Sequence, residues 1–129
     1  MPQLTLRQLR GEFAMLRLGP GDEVPPWALA SPATFASVTR TGSELSLIVS
    51  ALAVPAGVEA AGGWSCLGID GEFGLDVPGI ANAVVTPLAS AGHSVFVVAT
   101  FDTDYFLVRD VTAAATVLEA AGHRVLSCD

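Results

Sequence analysis

The sequence has no lysine; its basic side chains are six arginines and two histidines, set against thirteen aspartates and glutamates. A net charge of −7 repels phosphate backbones, so nucleic acid is not an expected partner, and anionic membrane surfaces are disfavoured for the same reason. Long apolar runs are missing too. None approaches the ~20 residues that a membrane span needs, and the opening stretch MPQLTLRQLRGEF lacks the apolar segment of a secretion signal. These absences lead us to expect a cytoplasmic protein. Cysteine is scarce: Cys66 and Cys128 are far apart, form no CxxC motif, and are expected as reduced thiols unless the fold brings their sulfurs together. Two isolated histidines and two isolated cysteines give no zinc spacing.

Apolar material, by contrast, is plentiful. About half of the 129 residues are apolar and the mean hydropathy is +0.55. That suffices for one domain or for two modules of roughly 60 residues each. It is high for a lone monomer, which suggests that a partner covers some apolar surface.

The C-terminal half has the clearer pattern. WSCLGID (Trp64–Asp70) reads as a strand, and IANAVVTPLASAG carries Ile80, Ala81, Val84, Val85 and Leu88 at helical spacing, with Gly92 as its C′ residue. Pro87 removes one donor inside that helix, so a bend or a late start to regular bonding is expected there. SVFVVATF (Ser94–Phe101) and DYFLVRD (Asp104–Asp110) are β-rich, and Asp110 or Thr112 can cap a second helix, TAAATVLEAAG, before a last strand in HRVLSCD. The order β-α-β-β-α-β is the ferredoxin-like split βαβ unit, so the fold class is α+β. ASAGHSVF and EAAGHRVL echo one another as helix end, Gly, His and strand, which makes His93 and His123 boundary residues behind a C′ glycine.

The N-terminal half reads as a shortened version of the same pattern. LTLRQLRGEFAMLRLG is one long or broken strand, and PPWALA is a helical turn or two after a proline start. Thr41 to Glu44 turn a hairpin between two β-rich runs, and AVPAGVEAAGG provides a turn and a flexible join. SVFVVATF is apolar on both faces, with Val95, Val97, Ala99 and Phe101 on one and Phe96 and Val98 on the other. Helices cover only one face of a ferredoxin-like sheet, so the other module or a second chain is expected on the opposite face, and a homo-oligomer is the economical form.

Patterns for catalysis are poor. GWSCL ends in Leu67 where a nucleophile elbow needs glycine. The spacing of Gly68, Gly71 and Gly74 is not a dinucleotide fingerprint, and Asp70, Glu72 and Asp76 would repel a pyrophosphate. Asp102 and Asp104 share one tight turn, cannot flank a sugar ring, and alone lack the ligands for a metal. No enzyme activity and no cofactor is expected. A binding site is better supported. LDVPGI (Leu75–Ile80) leads into the first helix, whose unpaired N–H groups suit a carboxylate, and Gly79 allows close approach. Asp76 either accepts a bond from an ammonium group or simply caps the helix. Asp102 fits a turn bonding its own backbone, whereas Asp104 starts a strand between apolar walls and needs a cation or a donor.

D-V-P-G-I, a helix, and then A-G-H-S-V-F-V-V-A-T-F-D-T-D-Y-F-L-V resembles the ACT domain, and more narrowly the ACT modules shared by aspartate kinase regulatory regions and the CASTOR arginine sensors. Trp64 to Asp129 carries the resemblance. The N-terminal half is similar to the abbreviated module that precedes such a domain, through F-x-S-V-T-R-T (Phe35–Thr41) and E-L-S (Glu44–Ser46). The resemblance implies an abbreviated module over 1–60 and a complete one over 61–129, with an amino acid bound at a module or subunit interface to regulate another protein. It places ligand contacts on the backbone of Ser94 and Val95, on Thr100, Phe101 and Asp104 of T-F-x-x-D with the aspartate toward a cationic ligand end, and on the Gly79 and Ile80 amides. At about half the length of the arginine sensors, the chain would need a dimer to supply four modules, and without a kinase domain it would act on a separate polypeptide. Glu72 and Asp76 favour a basic or neutral ligand. An interaction module with an empty pocket is the alternative reading.

Overall fold

The computed structural model describes residues 2–30, 35–71 and 78–128. In chain order these form β1 (Thr5–Gln8), β2 (Phe13–Leu18), α1 (Pro26–Ala30), β3 (Ser37–Arg40), β4 (Leu45–Ser50), a 3-10 turn (Ala51–Ala53), β5 (Ala61–Ile69), α2 (Ile80–Ser90), β6 (Phe96–Ala99), β7 (Asp104–Val108), α3 (Val111–Ala120) and β8 (Arg124–Leu126). Two compact units result. One joins Met1–Leu9 to Ser65–Asp129, and the other is Arg10–Trp64.

In the Arg10–Trp64 unit, β2 and β4 pair antiparallel from Phe13 opposite Ser50 to Leu18 opposite Leu45. β3 flanks β4, and the start of β5 flanks β2. Leu16, Leu45, Leu47 and Val49 form the core with Ala28 of α1, and Trp27 packs against it. The expected hairpin is present. The Thr41 amide donates to the Glu44 carbonyl at 2.9 Å, while the Thr41 hydroxyl accepts from the Ser43 and Glu44 amides. A second helix is reduced to the three-residue 3-10 turn, so the module is abbreviated in its helices rather than in its strands.

The other unit follows the expected ferredoxin-like order. β5, β7 and β6 pair antiparallel in that sequence. Val84 and Leu88 of α2 and Ala114 and Leu118 of α3 share one core with Leu67, Ile69, Phe106 and Val108 of the sheet. Leu107 and Cys66, which alternate to the opposite face, are fully buried as well. The departure lies at the N-terminus. β1 enters between β8 and β5, parallel to the first and antiparallel to the second, with Leu6 opposite both Val125 and Ile69. Leu4 and Leu6, two residues apart, bury their side chains in the same core. The expected long or broken strand is broken near Gly11, whose φ is +88°, and its halves join different units. Residues 1–9 therefore group with the C-terminal half, unlike a division of the chain into 1–60 and 61–129.

Both helices of this unit stop as expected. Gly92 and Gly122 adopt φ of +86° and +98°, and the amides of His93 and His123 each donate back, to Leu88 and Leu118 carbonyls, at 3.0 Å. The two histidines then diverge. His93 is half-buried, whereas His123 is buried. Its Nδ1 accepts from the Leu4 amide at 3.0 Å, and its Nε2 lies 2.8 Å from the Ala83 carbonyl oxygen. With Nδ1 an acceptor, Nε2 carries the proton and donates. Ala83 lies four residues before Pro87, inside α2. Proline has no N–H to give that carbonyl, so Pro87 orphans it and His123 satisfies it.

Replacing His123 with phenylalanine keeps a ring but leaves the Leu4 amide and the Ala83 carbonyl without partners. Each loss costs roughly 1–3 kcal/mol, so His123→Phe should lower the urea midpoint markedly, while His93→Phe should leave it nearly unchanged.

Candidate functional site

Strand register decides which of the expected site residues meet. β5 runs antiparallel to β7 with Gly68 opposite Tyr105, so the C-terminal end of β5 lies beside the start of β7. The Thr103 hydroxyl, one residue before β7, donates to the Ile69 carbonyl at 3.4 Å. Asp104 is opposite Ala99, and Thr100 and Phe101 follow in the connecting turn. Asp104, Thr100 and Phe101 thus gather at the end of the unit where β5 finishes. Ser94 and Val95 begin the approach to β6 and lie about 16 Å away at ~3.3 Å per extended residue. Val95 packs against the core and Ser94 is exposed.

Gly79 is the N-cap of α2, at φ +82°, and among the described residues no side chain caps this end. A Cβ built on Gly79 would meet nothing within 4 Å among the described residues, which leaves room at this position beside the first-turn amides. Ile80 buries its side chain in the core, which limits its contribution to the backbone amide. Asp76 and Glu72 lie outside the described residues.

The hairpin turn is closed by threonine rather than by aspartate. The Thr100 amide and hydroxyl both donate to the Thr103 carbonyl, at 2.8 and 2.9 Å, and the Thr100 hydroxyl accepts from the Thr103 amide at 3.3 Å. Asp102 is exposed at the tip, and Phe101 beside it is 77% exposed. Asp104 is half-buried, and among the described residues its carboxylate has no hydrogen-bond or ion-pair partner. Desolvation by burial holds its carboxyl above the ordinary range. A half-buried carboxylate without a donor is poised for a cation or an N–H group from elsewhere.

Cys66 is fully buried, and desolvation pushes its thiol up to about 12, so it holds almost no thiolate. Neither cysteine is in a disulfide. Open clefts lined by described residues lie within each unit. One, of about 370 Å³, lies along Met15–Arg17 and Glu59–Ala61; the other, of about 290 Å³, lies between α3 and the ends of β1 and β8. Neither contains an expected site residue.

Residues 59–120 match the ACT domain family. No curated protein matches the chain. Among solved structures, protein Atu0741 of Agobacterium tumefaciens is 38% identical, over 98% of this chain and 95% of that one, with a TM-score of 0.90. The two chains belong to one family. A Vibrio cholerae protein, VC0802, described as a possible transport protein, is 21% identical with a TM-score of 0.73 over 95% of this chain and 89% of that one. The aspartate kinase of Clostridium acetobutylicum is 12% identical with a TM-score of 0.61, and the match covers 88% of this chain but 33% of the kinase. The last two show a shared fold. ACT domains are in general small-molecule regulatory modules. Among the described residues, no helix is long and apolar enough to cross a membrane.

Two measurements test the electrostatics of this unit. A raised carboxyl value means that the native state binds the proton more tightly than the unfolded chain, so ionised Asp104 opposes folding above its native value. Asp104→Asn should therefore raise the urea midpoint slightly at neutral pH, and the gain should vanish as the pH falls below the ordinary aspartate value. For Cys66, a rise from 9.0 to about 12 leaves ~1000-fold less thiolate at neutral pH. Its alkylation by iodoacetamide should be very slow in the native protein and rapid in urea.

Proposed function

We propose that this is a non-catalytic regulatory ACT protein that binds a small amino acid at the end of the unit where Thr100, Phe101 and Asp104 gather, with the Gly79 and Ile80 amides of the α2 N-terminus completing the site. The observation that carries the reading is the half-buried Asp104 carboxylate, which lacks a partner among the described residues. A ligand ammonium or guanidinium there would gain a charge-assisted hydrogen bond, and the open α2 N-terminus would take the ligand carboxylate. Phe101 would supply an apolar wall, and Ser94, Val95 and Asp76 would complete the contacts from other segments or from a second copy.

The protein works, in this reading, as a cytoplasmic homodimer of the aspartate kinase and arginine-sensor type. Among the described residues β6 pairs only with β7, and Val97 on it is 43% exposed. Such an edge offers backbone donors and acceptors to the same strand of a second copy, with the ligand at or near the seam. Ligand binding then favours one arrangement of the modules by its differential affinity, and a separate protein responds to that arrangement. The exposed Phe101 also supports a second reading, in which this end of the ACT domain docks a protein and holds no small molecule.

A thermal-shift panel of the common amino acids separates the two. A ligand at 100 times its Kd should add roughly 2.7 kcal/mol to stability, and Asp104→Asn should remove that gain. No response to any amino acid would support the docking module instead. Light scattering should give twice the chain mass, and a monomer at micromolar concentration would refute the dimer.

A further inference from the structure

We infer that the Arg10–Trp64 unit holds a second binding site, for a small zwitterion, in the gap where β2 and β5 diverge. The last paired residues on these strands are Met15 and Ala61, after a register shift from the Phe13–Trp64 pair. Beyond them, Leu16 and Arg17 continue β2 while Glu59 and Ala60 lead into β5, and an open cleft of about 370 Å³ lies along both segments. Here β2 keeps its β4 partner, with Leu16 opposite Leu47 and Arg17 opposite Ser46, but no longer pairs with β5. Backbone groups on its other edge are left to face the cleft.

The lead-in is fixed rather than loose. The Val58 amide donates to the Pro55 carbonyl at 3.2 Å, and Gly57 at φ +85° provides the third position of that turn. Glu59 follows directly. Both charged residues are exposed and line the same cleft, yet among the described residues no ion pair joins them. Arg17 donates one bond from Nη2 to the Ser43 carbonyl at 3.2 Å, which anchors the side chain and leaves other guanidinium donors available. A cation and an anion beside one small cleft, not closed onto each other, match the two ends of a zwitterion: its carboxylate on Arg17 and its ammonium on Glu59. Of the rest of the lining, Met15, Ala60 and Ala61 suit a short aliphatic side chain, while Leu16 keeps its side chain in the core. None of this involves Asp104 or the α2 N-terminus, so the site stands apart from the one proposed above.

Titration of the full chain with L-valine, followed by amide NMR shifts, tests the inference. Saturable shifts are expected at the Leu16, Arg17, Ala60 and Ala61 amides. Isobutylamine and isovalerate, which each retain one charge, should not reproduce them. Arg17→Gln and Glu59→Gln should each weaken binding at least about tenfold, ~1.4 kcal/mol, while Asp104→Asn leaves it unchanged. Equal urea midpoints for the variants would confirm that the fold is intact. No saturable shift at those amides, or undiminished affinity in both charge-removing variants, would overturn the site.

Discussion

The C-terminal unit depends on one buried imidazole. His123 takes a proton bond from the Leu4 amide and gives one to the Ala83 carbonyl, so a single side chain ties the entry to β1 to the middle of α2. Its place at the start of β8 is set by the C′ glycine before it, and its acceptor, the Ala83 carbonyl forty residues earlier, is made available by Pro87. β1 has only four residues, a length at which ladder bonds alone hold a strand weakly. Its insertion between β8 and β5 is secured by the two leucines in the core and by this polar contact. An apolar ring at 123 would keep the packing and lose the register-setting bonds.

The same accounting of polar groups singles out Asp104. Asp22 accepts from the Gly19 amide, Asp110 caps α3 through the Ala113 amide, and Asp70 pairs with Arg7. Each of these carboxylates has a structural task in view. Asp104 has none among the described residues, although it is less exposed than Asp102 beside it. Leaving a carboxylate partly desolvated without a donor costs stability, and such a cost persists in sites that recognise something. That asymmetry, more than the ACT match itself, is why the proposed ligand is placed at this end of the unit.

Sequence patterns located nearly every element of the C-terminal half, because each signal there is local. Helical spacing from Ile80 to Leu88, β-branched runs on either side of Asp102, the Asp110 cap and the two C′ glycines all act within a few residues. The hairpin tip was harder, since threonine and aspartate compete for the same turn bonds and Thr100 prevails. β1 was not legible as a member of the C-terminal sheet. Its alternation suits any half-buried strand, and nothing local says which strands it joins. The task of His123 was equally hidden, because its partners lie 119 and 40 residues away.

What the sequence alone determined is therefore the list of elements, their order, and the α+β character of an ACT-type unit, since propensity and periodicity are properties of neighbouring residues. Tertiary structure decided the partition into units, the entry of β1 between β8 and β5, and which acidic side chains are left without a donor. Those outcomes depend on register and on hydrogen bonds across long separations, where the choice among many chemically similar partners is made only by packing the whole chain.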